Sequence, residues 1–216
     1  MKITSVLTSL FGVFMCVNVT AQTVSDTLHL KDEITDLELA LKDPAKVYRL
    51  NLSNQKISVA DSVWSKFSNL EYLSLKNDHL RQVPSGLGYL KNLKILDLSG
   101  NDFEMLPSSF SRLSNLQELF VNDDKNFKLK KNINVLSSMK GLKSLHLEND
   151  NLTELPRTIN RLTNLEILDL NHNHFKKVPT EIKGLKHLQY LDFQDNDFKP
   201  NIIQTPNPEF GVKINF

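Results

Sequence analysis

Leu93-Lys-Ile95-Leu96-Asp97-Leu98-Ser-Gly-Asn101-Asp-Phe103 and Leu165-Glu-Ile167-Leu168-Asp169-Leu170-Asn-His-Asn173-His-Phe175 are two copies of one pattern in a chain of 216 residues. Each copy carries apolar residues at its start and at offsets +3, +5 and +10, with asparagine at +8. The same register restarts at Val47, Leu70, Leu116, Leu142 and Leu188, so successive starts lie 23, 23, 23, 26, 23 and 23 residues apart. A fixed period of this size predicts a solenoid, in which each unit buries its apolar face only against its neighbours.

Leu96 and Leu98 are two residues apart, so in a strand both point into the solenoid and Asp97 between them points out. Short strands of this kind pair in parallel with their equivalents about 4.8 Å away. Leu93 and Phe103 close the same core layer. Pro107 has no N–H and a locked φ, which ends the extended segment. Phe110 and Leu113 then read as a short helix or 3-10 turn on the opposite side, packing inward. The polar column at +8 is Gln55, Asp78, Asn101, Asp124, Asp150, Asn173 and Asn196. An Asn amide both donates to and accepts from loop backbone, whereas an ionised Asp only accepts. A less complete ladder is therefore expected at Asp78, Asp124 and Asp150.

These residues resemble the leucine-rich repeat family, whose pattern is L-x-x-L-x-L-x-x-N-x-L. The second halves resemble its 23-residue subclass: Val83-Pro84-x-x-Leu87-x-x-Leu90, Leu106-Pro107-x-x-Phe110-x-x-Leu113, Leu155-Pro156-x-x-Ile159-x-x-Leu162 and Val178-Pro179-x-x-Ile182-x-x-Leu185. The resemblance covers roughly Val47 to Phe198 and implies an α/β solenoid of horseshoe type, with a curved parallel sheet on its concave face. It implies a binding module rather than an enzyme, and no cofactor.

Residues 1–21 read as a signal peptide: Lys2, a mostly apolar run from Val6 to Val17, and small residues at Val19 and Ala21 before Gln22. The run is shorter than the about 20 residues a membrane span needs. Cys16, the one cysteine, raises lipid attachment as an alternative, against which stand the bulky Phe14 and Met15. Removing Lys2 with this segment leaves 26 − 1 = 25 basic and 25 acidic residues. That balance argues against nucleic acid as a partner, and no transmembrane segment is expected in the mature chain. With no cysteine left, the chain suits a bacterial-type exported protein, periplasmic, at the cell surface or secreted. Residues 22–46 read as an N-terminal cap, with an amphipathic helix over about Asp32 to Lys42 from the spacing of Ile34, Leu37 and Leu41. Residues 47–198 hold seven units. Residues 199–216 read as a C-terminal cap or tail, in which Phe210, Val212, Ile214 and Phe216 alternate as in a strand that covers the sheet edge or docks on a partner. The three extra residues of the fourth unit fall in Asn122 to Asn134, with Lys125, Lys128, Lys130 and Lys131, and read as a solvated bulge.

Outward strand positions form columns on the concave face. Tyr72, Ile95, Phe120, Ile167 and Tyr190 are apolar or aromatic where no packing demands it, and Asp97, His146, Asp169 and Asp192 accompany them. Apolar groups exposed on a rigid concave scaffold are candidate binding residues. A protein partner is the first reading. A carbohydrate or envelope polymer is the second, with Tyr72, Phe120 and Tyr190 stacking and the aspartates accepting hydroxyl protons. A third is a small hydrolase at the His146–Asp169 cluster. Asp169 and Asp192 are lateral neighbours that raise a cation site, joined by His146 and His172, although the spacing fits no established metal signature. No glycine-rich phosphate loop and no G-x-S-x-G elbow is present.

Overall fold

The computed structural model describes residues 32–199 and 211–216. The signal segment, Cys16, Phe210 and the prolines at 200, 206 and 208 lie outside the described residues. The described strands form one nine-stranded sheet in sequence order. They are β1 (Glu33–Ile34), β2 (Arg49–Asn51), β3 (Tyr72–Ser74), β4 (Ile95–Asp97), β5 (Glu118–Phe120), β6 (Ser144–His146), β7 (Ile167–Asp169), β8 (Tyr190–Asp192) and β9 (Lys213–Asn215). Every neighbouring pair is parallel, and from β2 to β8 the register aligns equivalent repeat positions, as in Leu96↔Leu119 and Asp169↔Asp192.

The Leu at the centre of each of β2–β8 is fully buried, as are Leu52, Leu75, Leu98, Val121, Leu147, Leu170 and Phe193 five residues after each unit start. Burying one such side chain contributes about 1.5–3 kcal/mol, so stability accumulates layer by layer rather than from a central core. Prolines 84, 107, 156 and 179 each precede a 3-10 turn: Ser85–Tyr89, Ser108–Arg112, Arg157–Arg161 and Thr180–Gly184. Phe110, Ile159 and Ile182 pack inward from these turns.

Three regions differ from the sequence reading. The expected capping helix over Asp32–Lys42 is β1 followed by a single turn, α1 (Leu37–Ala40). Glu33 and Ile34 pair in parallel with Arg49 and Leu50 and so satisfy the open edge of β2. Asp36, in an extended conformation, then caps α1 by accepting from the Leu39 N–H at 2.9 Å. The first unit also carries one turn of helix, α2 (Asp61–Trp64), where the second, third, fifth and sixth units have 3-10 turns. The fourth unit does not bulge. Its extra residues lengthen the convex turn into α3 (Leu129–Ser138), with Leu129, Ile133 and Leu136 buried on one face. Asn132, fully buried in α3, accepts from the Leu106 N–H and donates to the Glu104 and Lys128 carbonyls. Offset +10 of this unit is Asn126, and the adjacent Phe127 fills the layer instead, edge-on to Phe103 at 5.9 Å. The four lysines of the segment remain exposed.

The +8 column is a ladder of the expected kind. The Asn101 amide donates to the carbonyls of Leu75 and Leu98 and accepts from the N–H groups of Asp78 and Leu80, tying the second unit to the third. Asn173 does the same for the fifth and sixth units. Among the described residues, one oxygen of Asp78, one of Asp150 and both of Asp124 are buried without a hydrogen-bond partner. The deficit falls on the three rungs where Asp replaces Asn.

A second ladder escaped the sequence reading. Asn69, Asn92, Asn115 and Asn164 each donate to a carbonyl of the preceding unit at 2.8–2.9 Å, and His187 Nδ1 meets the Thr163 carbonyl at 2.6 Å. Its signal was the Asn-Leu pair at the start of each of those units. Gly141 occupies this place in the fifth unit, and a Cβ there would sit 2.6 Å from the Ser114 carbonyl oxygen and 2.8 Å from that of Leu116. Gly141→Ala should therefore lower stability by about 2 kcal/mol, because backbone must move to admit the methyl. Urea unfolding checks this, and unchanged stability would show that the adjoining units have slack.

Candidate functional site

The outward positions of β2–β8 share one face, but the structure treats the nine residues singled out there unequally. Ile95, Asp97, Phe120, His146, Ile167, Asp169 and Tyr190 are half-buried. Tyr72 and Asp192 are buried, at 7 % and 8 % exposure, and so are not the exposed contacts expected of them. Arg49 covers the Tyr72 ring at 4.2 Å and is itself held by Glu33 at 3.2 Å. Glu33 also accepts from the Asn51 amide at 2.9 Å. Burial, with the carboxylates of Glu33 and Asp97, pushes the Tyr72 phenol up from its ordinary value. Glu33 joins the face because its segment, which the apolar spacing predicts as helix, is strand β1.

The other end is closed in the same manner. Asp192 accepts from the Tyr190 hydroxyl at 2.8 Å and from the Asn215 amide at 2.9 Å, and Lys213 lies over the Tyr190 ring at 5.6 Å. Burial, the bond to Asp192 and its charge push Tyr190 up to about 12. The two terminal strands thus contribute side chains that cover both ends of the face.

At the centre, His146 stacks on Phe120, with ring centroids 4.1 Å apart and planes 10° apart. Its Nε2 lies 2.9 Å from Glu118 and its Nδ1 3.5 Å from Asp169. Burial alone would lower the imidazole pKa. The bonds to Asp169 and Glu118, with their charges, overcome that and raise it to about 9. His146 is therefore an imidazolium at neutral pH, held between two carboxylates. A protonated ring with both nitrogens engaged has no lone pair to act as a general base.

His172 does not join this group. It lies on the loop edge, 3.4 Å from Asp195 and 3.7 Å from Glu148. Asp192 is engaged by Tyr190 and Asn215, so the suggested cluster of His146, Asp169, His172 and Asp192 divides into separate pairings. Among the described residues no group of three or more His, Cys, Asp or Glu side chains is arranged to hold a metal ion. Each ring suggested for sugar stacking has a neighbour over it: Arg49 on Tyr72, His146 on Phe120 and Lys213 on Tyr190.

Residues 46–146 and 123–205 match the family described as a leucine-rich repeat region, and the chain belongs to the leucine-rich repeat family. No curated protein matches its sequence. Among solved structures it is similar to a leucine-rich repeat protein of Leptospira interrogans, at 28% identity and TM-score 0.63 over 80% of this chain. It spans half (50%) of the length of that protein. It is also similar to human 5T4 (Wnt-activated inhibitory factor 1, trophoblast glycoprotein), at 26% identity and TM-score 0.61, covering 72% of this chain and 62% of that one. An internalin of Listeria monocytogenes shares the fold, at 19% identity and TM-score 0.54, over 86% of this chain and 58% of the internalin. Proteins of this family generally mediate protein–protein interaction and are typically binding modules without catalysis. Among the described residues no helix is long and apolar enough to cross a membrane.

Proposed function

We propose that this chain is an exported leucine-rich repeat protein that binds a protein partner on the concave face of its sheet. One observation carries the reading. Ile95, Phe120 and Ile167 stay only half-buried on β4, β5 and β7, although every inward position of those strands is filled. Rigid apolar anchors ringed by charged groups are what a protein interface needs at its centre. The strands fix their positions before contact, so little ordering entropy opposes association. Tyr72 and Asp192 serve as walls rather than contacts. Export rests on the amino-acid pattern of residues 1–21.

The test is affinity capture from the source cells and their medium, with wild-type protein and an Ile95→Ala, Phe120→Ala, Ile167→Ala variant whose folding is confirmed by circular dichroism. The variant should bind the captured partner at least about 30-fold more weakly, corresponding to about 2 kcal/mol lost at a hot spot. Equal affinity would move the site off this face, and release by free sugar but not by protease treatment of the target would favour a carbohydrate ligand.

A further inference from the structure

The +8 ladder joins consecutive units through one side chain per step, buried at every step but the last. At two consecutive steps, from the third unit to the fourth and from the fourth to the fifth, that side chain is Asp: Asp124 at 0 % and Asp150 at 3 % exposure. The N–H of Asp124 donates to Asp150 Oδ1 at 2.8 Å, so the carboxyl of one rung touches the backbone of the other. Among the described residues, the second oxygen of Asp150 and both oxygens of Asp124 are buried with no hydrogen-bond partner. The Asn rungs show what is missing. Asn101 and Asn173 each donate to strand-end carbonyls of two consecutive units; an ionised Asp can donate to neither, and a protonated one to one of them.

We propose that Asp124 and Asp150 form a proton-locked seam that joins the third, fourth and fifth repeats, closed when the pair is protonated and loosened when it ionises. The protonated carboxyls supply O–H donors to loop carbonyls and stand in for Asn. Ionisation leaves two acceptor-only charges on adjoining buried rungs.

The surrounding charges work in the same direction. Asp102 faces Asp124, while Asp123 and Glu148 face Asp150, and Glu148 has His172 Nε2 at 3.7 Å. Burial pushes Asp124 up to about 7; the nearby N–H groups of Asn126, Phe103 and Phe127 oppose this, and the Asp102 charge adds to it. Burial pushes Asp150 up to about 8; the Asp124 N–H opposes this, and the charges of Asp124, Asp123 and Glu148 add to it. An acid whose folded pKa lies above its unfolded value favours folding most at low pH. That contribution is lost as pH rises from the ordinary carboxylate range near 4 through about 7 to 8. Asp124 and Asp150 each follow by four residues the last residue of β5 and β6, which are Phe120 and His146. The spacing of those two groups on the concave face is thereby linked to pH.

The experiment compares thermal unfolding of the full chain and of an Asp124→Asn, Asp150→Asn variant between pH 5 and pH 8.5. Other titrating groups are common to both proteins and cancel in the difference. The variant should gain on the wild type as pH rises, melting about 5 °C higher at pH 8.5 with little difference at pH 5. Parallel profiles would overturn the proposal. Carboxyl carbon NMR of Asp-labelled wild type decides the matter should the variant fail to fold. Two buried Asp titrating above about pH 6 support the seam, and ordinary midpoints near 4 for every Asp overturn it.

Discussion

Asn101→Asp should lower the unfolding free energy by about 3 kcal/mol at pH 8 and by only about 1 kcal/mol at pH 5. The exchange is nearly isosteric, so packing around the side chain is preserved. The new carboxyl can still accept from the N–H groups of Asp78 and Leu80, at 3.2 and 2.9 Å. It cannot donate to the carbonyls of Leu75 and Leu98, which Asn101 reaches at 2.9 and 2.7 Å. At pH 8 a charge is added in a position only 4 % exposed. At low pH the carboxyl protonates and regains one donor, so the loss shrinks. Urea unfolding at the two pH values measures the difference. A loss independent of pH would mean that shape rather than hydrogen bonding makes Asn101 matter, and the same result would weaken the argument for Asp124 and Asp150.

His146→Ala should cost about 2–3 kcal/mol at pH 6 and progressively less as pH rises from 6.5 to about 9. The imidazole pKa is 6.5 in an ordinary setting and about 9 in the fold. A base whose folded pKa is raised stabilises the fold fully below its unfolded pKa. That contribution declines between 6.5 and about 9 and is gone above the folded value. Truncation also leaves Glu118 and Asp169 facing each other across β6 without the cation between them, and removes the ring stacked on Phe120. The lower end of the range reflects Glu118, whose side chain is 32 % exposed and therefore screened. Denaturant unfolding at pH 6, 8 and 10 separates the contributions. A cost that does not fall with pH would assign His146 a packing role alone. Because the same substitution alters the centre of the proposed binding face, it should also weaken partner capture at neutral pH.

Much of this was legible in the chain. The period, the strand positions, the inward leucines, the 3-10 turns after proline and the incomplete rungs at Asp78, Asp124 and Asp150 all follow from identity at fixed offsets. Each of those features is local to a unit and its neighbour, so a repeated pattern specifies it. The missed elements had readable signals of a different kind. Leu129, Ile133 and Leu136 stand at helical spacing in the fourth unit, but an insertion in a repeat array suggests a loop first. The second ladder was visible as Asn before the first leucine of a unit, yet an exposed-looking Asn is unremarkable until the carbonyl of the preceding unit lies within 3 Å of it.

The sequence by itself determined that this chain is a leucine-rich repeat solenoid and which residues of β2–β8 share the outward face, because the two-residue alternation of a strand and the 23-residue period leave no other arrangement. Only the tertiary structure decided what those residues do. Tyr72 is covered because Glu33, from a terminal strand outside the repeat pattern, holds Arg49 over its ring. Asp192 is engaged because Asn215, from the strand at the other end, reaches it. His146 is a fixed cation because neighbours 28 residues before it and 23 after it place carboxylates on either side. Periodicity specifies position along the sheet; the charge and exposure of a side chain depend on which groups surround it, and those come from other units and from both ends of the chain.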